Sequence, residues 1–243
     1  MVEKLESDLM RHIVNEKLQP GDRLSKLDEL SDTLGISTGK LREQLEVARS
    51  LGLVEVKPRV GIHLAEYEFL PAVRFSLLYA LTVDPALFED FSRLRDNIEF
   101  GFFREAVALL NEEDHNRLKS LVAQAWAKLN GQPIHIPHRE HRDLHMTFYH
   151  RLNNPFVLGL LEAYWEAYEA VGYTMLSEYD YLCRVWTYHE NIIKAIFEND
   201  IEQAYILLVE HTQLRPHKQR NTKAANGTNS ASRKKTILSN KTE

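Results

Sequence analysis

Five of the eleven histidines fall between His135 and His150, and two of them, His141 and His145, stand four residues apart. On a helix that spacing puts both imidazoles on one face, one turn apart, where they can share a ligand. His189 and His211 follow 22 residues apart, each in its own stretch of helical pattern. Antiparallel helices in a bundle can bring such side chains to one interior point, the usual place for a buried metal site. Neutral imidazole is an ordinary ligand for zinc or nickel, whereas manganese and magnesium favour oxygen. The competing reading is a polar cluster that holds no ion. His138 and His150 lie off the 141/145 face and read as solvent-facing or outer residues, and Asp143 is on the wrong face to join the set. Glu140 and Glu190 adjoin histidines in sequence but point elsewhere on their helices. A hydrolytic centre would therefore have no evident general base.

A second group of residues suits nucleic acid. Ser37 can cap a helix whose inner face carries Leu41, Leu45 and Ala48. Thr38, Arg42 and Arg49 then fall on the outer face, with Lys40 near the helix start. An exposed guanidinium there suits either a phosphate or the edge of guanine. Beyond Gly52, Leu53–Val56 and Ile62–Leu64 read as two strands joined through Lys57-Pro58-Arg59-Val60-Gly61. Lys57, Arg59 and His63 are placed there to meet phosphates, and Gly61 permits close approach. The alternative for each charge is a solvated surface residue.

These side chains need two kinds of scaffold. Leu5, Leu9, Ile13 and Val14 recur at helical spacing before the stop at Pro20-Gly21. Ser25 and Asp28 resemble a capping box for a short helix that ends at Gly35. With the helix after Ser37 and the hairpin, residues 1–66 read as a winged helix-turn-helix. Residues 67–83 read as a linker helix. From 84 to 214 the pattern is helical throughout. Starts are signalled at Asp84-Pro85, Asn111, Asn154-Pro155 and Asp200, and further helices run over about 138–152 and 179–198. The fold class expected is mainly α, a winged helix-turn-helix followed by an all-α bundle. Tyr164, Trp165, Tyr168 and Tyr173 read as core and interface aromatics rather than a ligand box.

By its motifs the chain resembles the GntR-type bacterial transcription regulators, in the FadR branch with a C-terminal FCD effector domain. The N-terminal likeness rests on Pro20-Gly21-Asp22-Arg23-Leu24, Glu29-Leu30, Leu34-Gly35-Ile36-Ser37, Leu41-Arg42-Glu43, Gly52-Leu53-Val54-Glu55-Val56 and Gly61. The C-terminal likeness rests on Arg95 with Glu99, His145 before Asn154-Pro155, His189 before Ile192, Ala195 and Ile196, then Asp200, Ala204 and His211. The resemblance implies a homodimer that binds a two-fold symmetric operator, with DNA-contacting residues among Ser37, Thr38, Lys40, Arg42, Arg49, Lys57, Arg59 and Gly61. It implies a small organic or sugar acid as effector, met by Arg95 and Asn154. It also implies a metal held by three histidines, here His145, His189 and His211, with an aspartate four residues before the first. This chain has His141 at the aspartate position. It departs again at Asp28 and Thr38, where such regulators usually carry arginine.

Composition sets the outer limits. No run approaches 20 apolar residues, and the start lacks a basic segment followed by an apolar one, so neither a membrane span nor a secretory signal is read. Cys183 is the lone cysteine, which excludes an internal disulfide and fits a reducing cytoplasm. Residues 1–66 carry 10 basic and 12 acidic side chains, a net of −2, which is low for a protein that neutralises phosphates. Residues 215–243 carry eight basic side chains against Glu243 and almost nothing apolar, so they read as a disordered basic tail. Three functions compete on this reading: a metal-containing, ligand-responsive regulator, the same regulator with a metal-free dimerisation module, and a histidine-rich metal-dependent hydrolase. The regulator is favoured, because a helix-turn-helix serves no purpose in the hydrolase.

Overall fold

Helix α1 (Asp8–Asn15) begins where the sequence first offers a cap: the Ser7 hydroxyl accepts the Met10 N–H at 3.2 Å. The computed structural model that shows this describes residues 1–57, 59–172 and 178–214. Pro58 of the wing, Tyr173 and the basic tail lie outside the described residues. Helix α2 (Leu27–Leu34) ends at Gly35 in the left-handed conformation. Its N-cap is Lys26, with no side-chain hydrogen bond, so Ser25 does not form the capping box its spacing suggested. Helix α3 (Thr38–Ser50) is capped by Ser37, which accepts the Lys40 N–H at 3.2 Å. Strands β1 (Val54–Lys57) and β2 (Gly61–Leu64) pair antiparallel, with Val54 opposite Leu64 and Lys57 opposite Gly61. Leu9, Ile13, Leu24, Leu30, Leu41, Ala48 and Val54 form one buried core beneath them.

The remaining described elements are helices: α4 (Leu70–Val83), α5 (Leu87–Ala108), α6 (Glu112–Leu129), α7 (His138–Tyr149), α8 (Pro155–Val171), α9 (Tyr179–Phe197) and α10 (Ile201–Gln213). Asp84 does not open α5 as its Asp-Pro signal suggested. It ends α4, and its carboxylate accepts the Ala86 N–H at 3.0 Å, turning the chain before α5 starts without a side-chain cap. Asn111, Asn154 and Asp200 do cap their helices. At α6 the cap is reciprocal, because Asp114 also accepts the Asn111 N–H.

Helix α4 is more than a spacer, since it packs along α8. The contact depends on Gly159, where an added Cβ would stand 2.7 Å from the Leu70 nitrogen. The bundle core is built around Phe103, Leu118, Leu144, Phe148, Leu161, Trp186, Ile192 and Leu208. A second cluster, with Leu81, Phe88, Tyr164, Trp165 and Ala167, joins α4, α5 and α8. These two clusters bracket the histidines. Among the described residues no helix is long and apolar enough to cross a membrane.

Candidate metal centre and nucleic-acid interface

The four histidines converge. Helix α7 presents His141 and His145, α9 presents His189 and α10 presents His211, with one nitrogen of each within 4.8 Å of the others. His145 Nε2 stands 3.1 Å from His189 Nε2. Two nitrogens sharing a tetrahedral ion at ~2.0–2.1 Å would be about 3.3 Å apart, so this pair is already near ligand spacing. His145, His189 and His211 are buried, while His141 is partly exposed. His141 borders a small cleft lined also by Ile136, His138, Tyr168, Tyr181 and Trp186.

The electrostatics favour neutral imidazoles. Burial depresses the basicity of His189 to about 3, with the Arg95 charge acting in the same direction. Burial, then the neighbouring histidines and Arg95, push His141 and His211 well below the usual histidine range. His141 Nε2, His189 Nδ1 and His211 Nδ1 are buried with no hydrogen-bond partner among the described residues. Orphaned polar atoms at this depth cost free energy unless something else meets them. Imidazole nitrogens this close together, three of them buried without a hydrogen-bond partner among the described residues, fit a nitrogen-preferring divalent cation.

The surroundings explain which neighbours belong to this centre. Trp165 and Tyr168 of α8 wall it, with the Trp165 ring 4.8 Å from His141 and 5.2 Å from His145. Glu140 is turned away and paired with Lys128 at 2.7 Å, and His150 meets Asp114 at 2.8 Å. Arg95, which the resemblance implied would meet an effector, lies buried against the histidine cluster, its Nη2 2.9 Å from His145 Nδ1. It is 4% exposed and paired with Glu99 at 2.8 Å, and its guanidinium packs over Tyr164 and Trp165. Its contact with His145 was not legible, because 50 residues separate the two. Asn154, the other residue the resemblance implied for the effector, caps α8. Its side-chain oxygen accepts the Phe156 and Val157 N–H groups, and it starts α8 about 16 Å along the axis from Trp165.

The N-terminal residues form a different surface. Arg42 is exposed on α3 and makes no ion pair among the described residues. Lys40 is paired with Asp8 at 2.8 Å, Arg49 with Glu46 at 2.5 Å and Lys57 with Glu55 at 2.7 Å. Exposed pairs of this kind are worth only about 0–1 kcal/mol, so phosphates can displace the acids. Arg59 stands exposed at the wing tip with φ 64°. Gly61 has φ +118°, and a Cβ there would lie 2.8 Å from Arg23 Nε, so glycine lets Arg23 pass beneath the wing. His63 is directed inward rather than toward phosphates, its Nδ1 3.1 Å from the Gly21 carbonyl oxygen.

Residues 1–64 match the bacterial regulatory proteins of the gntR family, and residues 90–214 match the FCD domain. The chain belongs to the gntR family. It is accordingly a transcription regulator with an FCD effector domain, and its relatives are regulators rather than enzymes. It is 28% identical over 199 residues to the uncharacterized HTH-type transcriptional regulator YcbG of Bacillus subtilis, spanning 80% of this chain and 79% of the relative. It is 29% identical over 112 residues to the HTH-type transcriptional regulator LutR of the same organism, spanning 46% of this chain and 51% of LutR. The solved Streptococcus agalactiae GntR structure superposes with a TM-score of 0.63 at 19% identity, covering 88% of this chain and 98% of the other. That likeness is one of fold. For this gntR-family regulator the winged domain supplies the nucleic-acid face and the helical domain encloses the histidine centre.

Proposed function

We propose that this regulator binds a two-fold symmetric operator as a homodimer and carries zinc or nickel at His141, His145, His189 and His211, where a small organic or sugar acid is sensed. The observation that carries the reading is the convergence of four imidazoles from three helices, three of them with unpartnered buried nitrogens. His141 supplies nitrogen where related domains offer a carboxylate, which selects against oxygen-preferring ions. A bound zinc or nickel ion would supply Lewis acidity toward an anionic oxygen. With four neutral ligands the protein does not offset the double positive charge, so a carboxylate is the natural further ligand. Access for it lies on the His141 side, beside Tyr168 and Tyr181, because the other three histidines are enclosed.

At the other end, Arg42 is an exposed cation with no ion pair among the described residues and so is placed to read a base or phosphate, with Ser37, Thr38 and Lys40 around it at the start of α3. Arg49 and the wing residues Lys57, Arg59 and Gly61 complete the proposed surface. Selection of bound duplexes from a random pool by the full chain tests the reading. The expected winners are two-fold symmetric sites, and a small organic acid is expected to change their affinity for zinc-loaded protein. Recovery of single asymmetric sites bound by a monomer would contradict the dimeric reading. An affinity indifferent to every acid in a broad panel would contradict the effector reading.

A further inference from the structure

Beneath the histidine centre lies a buried ion pair that neither the nucleic-acid face nor the ligand set uses. Arg95 is 4% exposed and Glu99 0%, one turn apart on α5, with Arg95 Nη2 2.8 Å from Glu99 Oε1. Burying two charges costs several kcal/mol per ion before their attraction repays it, so a pair of this kind is weak evidence of stabilisation for its own sake. Its position is more informative. His145 Nδ1 lies 3.1 Å from Glu99 Oε1 and 2.9 Å from Arg95 Nη2, while Nε2 of the same ring faces His189. The pair therefore holds the outer edge of one imidazole whose inner edge belongs to the cluster.

Two hydrogen-bond arrangements are available to this ring. In one, Arg95 donates to Nδ1 and the Nε2–H donates to His189 Nε2, which satisfies both ring nitrogens without an ion. In the other, Nδ1–H donates to Glu99 and the Nε2 lone pair is exposed to the cluster. The imidazole is neutral in both. Only the second leaves Nε2 able to ligate, and a carboxylate accepting the far N–H of a ligating histidine both orients the ring and raises its donor strength. The anchoring is deep: the Glu99 backbone carbonyl accepts the Tyr149 hydroxyl at 3.1 Å, and Arg95 is flanked by Asp96 at 3.3 Å and by the Tyr164 and Trp165 rings.

We infer that Glu99 is a positioning residue that holds His145 as an Nε2 ligand, and that Arg95 acts by holding Glu99 in place rather than by receiving the effector. The inference rests on the metal reading above. The test is a chelator-competition titration of zinc into the full chain, parent against Glu99→Gln, with tautomers of the nitrogen-15-labelled histidines read by NMR. In the parent, zinc is expected to bring His145 to the Nδ1–H tautomer. In Glu99→Gln, zinc affinity is expected to fall by about 10–100-fold, with the His145 signal no longer confined to that form. Should Glu99→Gln fail to fold, the double variant Arg95→Gln/Glu99→Gln removes both buried charges together and is expected to show the same loss. Zinc bound by the parent and with equal affinity by the variant overturns this inference alone. No zinc uptake by the parent overturns it together with the metal reading.

Discussion

On the proposed metal reading, His141 carries the greatest chemical consequence of any single residue, because it would make the ligand set four imidazoles where the resemblance implies one carboxylate and three. Replacing it with aspartate is expected to keep metal binding and widen it toward manganese, measured as the ratio of zinc to manganese affinities. An unchanged ratio would show that the residue lies outside the ligand set. Arg42 is the corresponding residue on the proposed DNA face. Arg42→Ala should fold normally and lose about 1–3 kcal/mol of operator affinity at fixed salt, measured by fluorescence anisotropy. Unchanged affinity would remove it from the interface. The histidine set was legible because i,i+4 spacing and helical periodicity survive translation into three dimensions. The occupation of Arg95 was not, because an i,i+4 partner in sequence reveals neither burial nor the histidine 50 residues away. The capping role of Asn154 was legible, because its neighbour Pro155 marks a helix start and the side chain caps it.

Among the elements, α6 shows how local chemistry and packing meet at one carboxylate. Burial raises the pKa of Asp114, but hydrogen bonds from Arg151, the Asn111 N–H and His150 outweigh it and bring it to about 2. The folded value is depressed below the ordinary 3.8, so this contribution is complete above about pH 4 and is lost as pH falls toward 2. Asp114→Ala should cost about 1–3 kcal/mol at neutral pH, and the difference from the parent should shrink between pH 4 and pH 2, as followed by urea denaturation. Helix α4 makes a separate point about reading elements from sequence. Its pattern suggested a linker, yet Gly159 lets the backbone of Leu70 settle against α8. Gly159→Val should therefore destabilise the bundle by about 1–3 kcal/mol through overpacking, read as a lowered urea midpoint with unchanged slope. A close helix approach leaves only a small residue in the sequence, and many glycines mean nothing of the kind. Capping signals were more faithful at Ser37, Asn111 and Asp200 than at Ser25 and Asp84, where neighbouring turns took the side chain or left it unused.

Across the whole molecule, the division into a winged domain and a helical bundle was legible because hydrophobic periodicity changes only at the hairpin. The fold explains how one chain can join two chemistries. Helix α8 touches the histidine centre through Trp165 and Tyr168 and touches α4 at Gly159, so the bundle that encloses the site also holds the segment leading back to the winged domain. The low charge of that domain is partly masked further by ion pairs at Lys40, Arg49 and Lys57. Operator binding is therefore expected to have a shallow salt dependence for a protein of this type, measured as the slope of log affinity against log salt. The account as a whole depends most on the buried imidazoles being a metal site. Equilibrium dialysis of the parent and His189→Ala proteins against zinc and nickel tests this directly. The parent should take up about one ion per chain and gain thermal stability with it, while His189→Ala should lose both. Uptake by the parent no greater than that of His189→Ala would contradict the account.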